Sequence, residues 1–579
     1  MLAVATYLLS LGFDLVWDDP LLLEWTRSRF RDGGLAGLLG ASFRLKPEMP
    51  LDFYRPVVLL SLLVDDFAGG GSPFSFHLTN VLLHAAASTL VLLLLSALGA
   101  GRGPALAGAA LFAVHPVHVE SVAFVSGRTD LLAAVFVLAS ALLWTRDRTG
   151  APRHAALFRV AGLAAYALGC LSKEVAFPLP FVLAAWDLAL PRPAADGWRR
   201  ARRTWWAGAA ASIVVVLALR TLVAGVPLPF SSGAAEAAAP LGTRLARLPG
   251  VLVTGLRLLV APWPLNAYYT ADQVAIGAIE LLAGGALLAA WIVLTAPRFR
   301  RAGWLSASWT IAFLLPGLGL IGHGGAAIAE RFLYLPSAGI AILVLGFAGL
   351  SARGRRAAVA GVLVVAAVFA ALTIARSGVW RSEEALFASL TSTSPRCVEG
   401  YLGLAHVRSR AGRHDEAIGL LKQALQLDPG LDRAYLKLGM EYGSLGRHDE
   451  AIGSLRQAAA LRPDYPEAHA TLGLTFLLAG RPAEARAALA RAVELRPGYA
   501  AAWTTLGKAR LALGDPGAAA AFERALALMP GDGDARFGLV LARLREGRPD
   551  LAAREQQRLA ATDPRLGEAA ARSIREAAP

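Results

Sequence analysis

"AYLKLGMEYGSLGRHDEAIGSLRQAAALRP", residues 434–463, decides how the second part of the chain folds. Apolar and small residues recur in it at helical spacing twice, first at Tyr435, Leu438, Gly439 and Tyr442, then at Ala451, Leu455 and Ala458. Gly446 separates the two runs and Pro463 follows the second. That pattern spells two short helices joined by a turn, and neither helix could bury its apolar stripe alone. The neighbours repeat it. Pro429, Pro463 and Pro497 recur every 34 residues, as do Gly412, Gly446, Gly480 and Gly514, and Ala417, Ala451, Ala485 and Ala519. Small residues let paired helices approach closely and the proline ends the second helix, so stacked copies bury a continuous core.

The 34-residue period with these small, aromatic and proline positions is the tetratricopeptide-repeat pattern. Three repeats are clear, a fourth begins at Ala500 and loses one residue before Pro530, and a fifth ending near Pro564 is degenerate and suits a cap. Residues 394–579 are therefore expected to form an α-solenoid of four repeats plus a degenerate capping repeat. The pattern specifies a fold and is nearly silent on the ligand.

The first 380 residues obey another rule. Over the whole chain 55% of residues are hydrophobic and 17% charged, and the mean hydropathy is +0.49. Soluble domains carry about 25% charged residues. Apolar segments at 77–99, 104–118, 129–145, 156–172, 175–190, 204–224, 274–296, 303–322, 332–350 and 357–376 read as spanning helices. A run at 1–13 brings the number to eleven, although it reaches only about 20 Å across a core of roughly 30 Å. It reads as a partial helix or a misassigned start, and no cleavable signal-peptide pattern precedes it.

The net charge of +14 does not point to nucleic acid, because the arginines are bunched between apolar runs. Arg146, Arg148 and Arg153, then Arg192, Arg199, Arg200, Arg202 and Arg203, then Arg298, Arg300 and Arg301, then Arg353, Arg355 and Arg356 follow the distribution of cytoplasmic membrane loops. With those clusters inside, the loops around 18–77, 119–128, 172–174, 224–272 and 323–331 fall on the exported side, and so does everything after Trp380. Two cysteines, Cys170 and Cys397, are too few for a disulfide framework.

Those exported loops concentrate polar residues that membrane neighbours make costly. "VWDDP" carries Asp18 and Asp19; "FYRPVVLLS" carries Arg55; "FHLTNVLLHA" carries His77, Asn80 and His84. "LFAVHPVHVESVAFVSGRTDLL" carries His115, His118, Glu120, Arg128 and Asp130; "LSKEVAFPLP" carries Lys173 and Glu174; "AERFLYLPSAG" carries Glu330, Arg331 and Tyr334. In this order, followed by tetratricopeptide repeats, the segments resemble the transmembrane and tetratricopeptide-repeat-containing protein O-mannosyltransferases, the TMTC family, within the GT-C class. The "HPVHVESV…GRTDLL" and "ERFLYLPS" segments are the most specific.

The resemblance implies an all-α fold, with a GT-C-like polytopic helical domain of about eleven spans over 1–380 and the repeat solenoid after it. It implies transfer of a mannose-like sugar from a polyprenyl-phosphate donor to a hydroxyl of an exported protein, with Asp18 as base, Asp19 positioning it or the substrate, and Glu120 holding the acceptor or a sugar hydroxyl. Arg55, Arg128, Lys173 and Arg331 would face the lipid phosphate, with Asp130, Glu174 and Tyr334 completing the substrate site. No cofactor is implied, and a divalent cation, though compatible, is not indicated. The expected partners are the lipid-linked donor, a protein or peptide acceptor held by the repeats, and membrane lipid, with no nucleic acid. The Ala- and Arg-rich composition points to a bacterial inner membrane, with the repeats on the periplasmic side.

The residues leave alternatives open. Asp18 and Asp19 also suit the start of a helix at Pro20. His115, His118 and Glu120 suit a metal site less well than interhelical hydrogen bonding, because Pro116 lies between the would-be ligands and no fourth is evident. Arg128 with Asp130 also suits an interfacial ion pair, and Arg331 with Tyr334 an interfacial anchor. A non-catalytic membrane-anchored repeat scaffold for protein assembly is the alternative function, and a lipid-sugar flippase a third.

Overall fold

A computed structural model describes residues 1–42, 53–149, 152–191, 198–225, 241–270, 273–274, 300–317 and 328–577. The chain divides into two compact units, Met1–Cys397 and Val398–Pro579. The described residues are helical apart from connecting segments and isolated β-bridges, among them an antiparallel one between Tyr269 and Ile328.

In the first unit six described helices are long and apolar enough to cross a membrane: Pro73–Ala97, Val125–Thr149, His154–Ser172, Trp198–Ala224, Glu330–Gly349 and Ala352–Trp380. A bent pair, Arg102–Ala113 with Pro116–Ala123 at 48°, makes a seventh if it is one span. The expected eleven are thus not reached among the described residues. The 175–190 segment contains only the eleven-residue helix Leu179–Ala189, and 303–322 is entered by the fifteen-residue helix Arg300–Leu314. At 1.5 Å per residue these run roughly 17 and 23 Å, short of a roughly 30 Å core. Residues 1–13 form the helix Leu2–Thr6 and a 3-10 turn, Leu8–Gly12. The expected span at 274–296 lies almost wholly outside the described residues.

On the first of these spans the imidazole and amide side chains point inward. His77, Asn80 and His84 are all fully buried on Pro73–Ala97, whereas Leu82 and Leu93 on the same helix are exposed. That inversion is what a bundle in hydrocarbon requires, since lipid solvates leucine and not imidazole.

The second unit is a stack of helix pairs: Val398–Arg410 with His414–Leu427, Asp432–Ser444 with His448–Leu461, Pro466–Leu478 with Pro482–Leu495, Ala500–Leu513 with Ala518–Leu528, and Gly533–Arg545 with Pro549–Thr562. A last helix, Pro564–Ala577, lies over the fifth pair through Ala570 and its neighbours. The periodic residues do what their spacing predicts. A Cβ on Gly439 would stand 2.5 Å from Leu455, and one on Gly473 2.4 Å from Leu489, so each first helix needs a glycine where its partner crosses. Gly412, Gly446, Gly480 and Gly514 sit at φ near +70°, a conformation that costs glycine nothing and ends the helix.

Candidate active site

The segment leading into "VWDDP" is a tight turn. Trp17 adopts φ +57°, which for a bulky side chain costs on the order of 1–3 kcal/mol and must be held by its surroundings. Asp19 supplies the hold. Its Oδ1 accepts from the Ser126 backbone N–H at 2.7 Å and the Ser126 hydroxyl at 2.6 Å, and its Oδ2 from the N–H groups of Val16 at 3.2 Å and Val125 at 3.3 Å. The side chain is fully buried. Burial lifts the Asp19 carboxyl to about 7, against the downward pull of these four bonds. A helix does start here, Asp19–Leu39, with Asp18 as N-cap residue and Pro20 in its first turn. Asp18, however, makes no side-chain cap bond; it is half-buried, and its charge reaches the Arg331 guanidinium.

The loop that receives Asp19 is itself shaped by contact. A Cβ on Gly127 would lie 2.6 Å from the Ser121 carbonyl and 2.8 Å from that of Glu120, so the "SGRTD" turn closes only on glycine. Asn80 donates to the carbonyls of Val122 and Phe124 and accepts from Arg128 Nε at 2.9 Å. Arg128, fully buried, also donates to the Phe76 carbonyl at 2.7 Å and pairs with Asp65 at 2.5 Å. Its donors are largely spent inside the protein, and it ties the loop to Pro73–Ala97. Asp130 pairs not with Arg128 but with Lys173, at 2.6 and 2.7 Å. Burial lowers the Lys173 ammonium from its ordinary value, and Asp130 opposes that.

Three further pairs complete the cluster. Glu120, buried, accepts from the Arg331 backbone N–H at 2.9 Å and from Arg331 Nη1 at 2.5 Å. Glu174 accepts from Arg55 at 2.9 Å and from Arg220. Burial alone would raise the Glu174 carboxyl, but the two guanidiniums bring it down to about 2. Buried Glu330 accepts from Tyr269 at 3.3 Å and Arg376 at 3.4 Å. Electrostatic reach joins the pairs: Lys173 feels Arg55 and Arg331, and Arg331 feels Asp130 and Asp18. Segments around residues 18, 55, 120–130, 173–174 and 331 thus meet.

Tyr334 lies within electrostatic reach of Asp130 but makes its hydrogen bond elsewhere. It is buried, and its hydroxyl bonds His84 Nδ1 at 2.7 Å within an aromatic group that includes Phe112 and His118. The histidines bond across helices: His84 to the Ala113 carbonyl, His115 to that of Leu259, His118 to Ser337. Among the described residues no cluster of His, Cys, Asp and Glu could hold a metal ion.

Arg331, with its side chain 35% exposed, is the most accessible of the four expected cations; Arg55 is at 13%, Lys173 at 10% and Arg128 at 0%. Asp65, Ser126, Arg220, Tyr269 and Arg376 were not expected in the site. Arg220 had a signal, since an arginine inside the 204–224 apolar run needs a buried partner. Ser126 had none.

The tetratricopeptide-repeat family models match residues 396–464, 436–500 and 504–573. The chain is similar to "Protein O-mannosyl-transferase Tmtc1" of Drosophila melanogaster, 29% identical over 525 residues, covering 73% of this chain and 60% of that protein. It is similar also to "Protein O-mannosyl-transferase TMTC4" of Mus musculus, 29% identical, covering 66% of this chain and 59% of that one. The chain therefore spans about 60% of the length of these curated relatives. Among solved structures, "Crystal structure of MamA protein" is 27% identical and covers 30% of this chain and 94% of that one, with a TM-score of 0.28.

Proposed function

We propose that the chain is an integral-membrane glycosyltransferase that moves a mannose-like hexose from a polyprenyl-phosphate sugar to a hydroxyl of an exported protein. Similarity to proteins named protein O-mannosyl-transferases supports the class. The observation that carries the site is the meeting of Asp18, Glu120, Asp130, Lys173, Glu174, Arg55 and Arg331, from segments far apart in sequence, beside the ends of apolar helices.

In the reaction the acceptor oxygen attacks the anomeric carbon while Asp18 takes its proton. The bond from that carbon to the phosphate oxygen breaks, its electron pair goes to the phosphate, and the diester monoanion becomes a lipid monophosphate with one more negative charge. Stabilising that charge is the task of the cations, and donors fixed in advance do so without reorganising. Arg331 is the foremost of them because its guanidinium is accessible and pinned by Glu120. Both Glu120 oxygens face Arg331, so Glu120 orients the arginine rather than a sugar hydroxyl. Lys173 and Arg55 extend the positive potential from positions that Asp130 and Glu174 hold. Asp19 acts through the backbone it clamps and leaves Asp18 in place. The arginine-rich loops face the cytoplasm, and the site and the repeats the exported side, where the repeat unit presents the protein acceptor.

Mass spectrometry of exported proteins from cells with and without the chain tests this. The expected result is a set of Ser/Thr peptides that lose one hexose when the chain is removed. An unchanged glycopeptide profile, with the chain expressed in the control cells, would overturn the assignment.

A further inference from the structure

Where the span Ala352–Trp380 ends, the chain makes a 3-10 turn, Gly378–Trp380, and then the helix Glu383–Thr393, whose N-cap Ser382 accepts from the Ala385 N–H at 3.3 Å. Trp380, Leu386 and Leu390 are fully buried and Phe387 nearly so, which lays this segment against the protein. It backs the two stretches that Asp19 clamps together. The Phe387 ring meets that of Trp17, their centres 5.8 Å apart. The Trp380 ring stacks on Phe124 at 5.2 Å, one residue before Val125, whose N–H donates to Asp19. The Arg381 carbonyl accepts from the Asp14 N–H at 3.1 Å. Asp19 ties the stretches to each other, and the 380–387 segment holds them at Asp14, Trp17 and Phe124.

The far end of the same helix is anchored as well. Thr393 Oγ1 donates to Asn266 Oδ1 at 3.1 Å, Gln273 Nε2 donates to the Thr393 carbonyl at 3.0 Å, and Asn266 Nδ2 donates to Ser394 Oγ. That loop carries Tyr269, whose hydroxyl donates to Glu330, the sequence neighbour of Arg331. One short helix is therefore fixed at its start to the turn of Asp18 and at its end to the segment of Arg331. Trp17 is the weak point of this arrangement. At φ +57° its backbone lies in the left-handed region, and a return to ordinary negative φ would take the ring off Phe387 and move Asp18, the next residue, with it.

We propose that Phe387 is a positioning residue for the transfer reaction: by packing on Trp17 it keeps the strained turn closed and Asp18 directed toward Arg331. The inference rests on Asp18 being the base. Phe387 touches no reacting atom and acts only through the turn it backs.

The test combines amide hydrogen exchange of the full-length protein in nanodiscs with hexose-transfer kinetics in proteoliposomes. In Phe387→Ala, peptides covering residues 13–19 should exchange about two- to tenfold faster, the factor that one lost aromatic contact gives, while those of the repeat unit keep the parent rate. The kcat should fall about tenfold with the donor KM unchanged, as a slightly misplaced base would produce. Phe387→Leu, which keeps apolar bulk on Trp17, should recover most of both. In an Asp18→Asn background, adding Phe387→Ala should leave kcat unaltered, whereas a merely structural loss would lower it by the same factor again. Parental exchange across 13–19 or a parental kcat in Phe387→Ala, or the full further loss in the Asp18→Asn background, would overturn the proposal. A parent protein that transfers no hexose, or an Asp18→Asn variant that transfers at the full rate, would instead refute the proposed function, and exchange alone would then decide whether Phe387 holds the turn. Should Phe387→Ala fail to fold, Phe387→Val takes its place and is read in the same way.

Discussion

Replacing each of the two neighbouring aspartates by asparagine should give opposite phenotypes. In Asp19→Asn the amide oxygen can keep the two bonds from Ser126, but the amide nitrogen then faces the N–H groups of Val16 and Val125. Two buried donors lose their acceptor, at about 1–3 kcal/mol each, or roughly 2–6 kcal/mol in all. For a unit of this size that lowers the Tm by something on the order of 2–7 °C. In Asp18→Asn no cap bond is lost, and transfer should slow by about 10²–10⁴-fold as the base disappears. The assays are thermal unfolding of the purified chain and initial rates of hexose transfer from a lipid-linked donor in proteoliposomes. Both belong at pH 8, where Asp19, with its carboxyl near 7, is ionised. A stable, inactive Asp19→Asn beside an unstable, active Asp18→Asn would refute the assignment of roles. Full transfer by Asp18→Asn would remove the base altogether.

Lys173→Met leaves Asp130 buried with the Thr129 hydroxyl as a donor and Arg331 within electrostatic reach, and should cost about 3–5 kcal/mol. Adding Asp130→Leu should restore at least half of that, as followed by labelling of the buried Cys170 thiol during heating; a single variant that melts like the parent would show the pair to be solvated. Glu174, held at about 2 against an ordinary 4.5, contributes stability that is complete above about pH 4.5 and lost as the pH falls through 2. Glu174→Gln should therefore flatten the acid limb of stability between those values, and an unchanged limb would deny the pairing with Arg55 and Arg220. Gly439→Ala should destabilise the repeat unit by about 1–3 kcal/mol in denaturant titrations of the full chain, because its Cβ meets Leu455 at 2.5 Å. Gly443→Ala, with nothing within 4 Å, should be neutral or stabilising by up to ~1 kcal/mol.

The repeat unit was legible because its packing is local. Gly439 meets Leu455 sixteen positions on, and the period prints each such contact in the sequence again. The membrane unit was legible in composition and less so in length. Apolar residues show what hydrocarbon tolerates, but Pro178 and Pro180 confine the 175–190 segment to a short helix, and Pro316 stands just after Arg300–Leu314 ends. The charged residues of the candidate site stood out by the cost of charge beside apolar runs, whereas their partners did not. Glu120 finds Arg331 at a separation of 211 residues and Arg55 finds Glu174 at 119, and no local rule reaches that far.

Where a local rule did apply, it was helix geometry. Arg128 and Asp130, two apart at the start of one helix, suggest a pair in the linear sequence, but side chains at that spacing face different directions. Each accordingly found its partner elsewhere, Asp65 for the arginine and Lys173 for the aspartate. The same geometry acts on Asp18 and Asp19. Successive residues entering a helix point about 100° apart, so one carboxylate turns into the protein and meets four donors while the other is left half-exposed toward Arg331. A doubled acid at this place is therefore not redundant. A single aspartate could not both hold the strained turn and face Arg331, and the pair divides those positions between neighbours that never share a face.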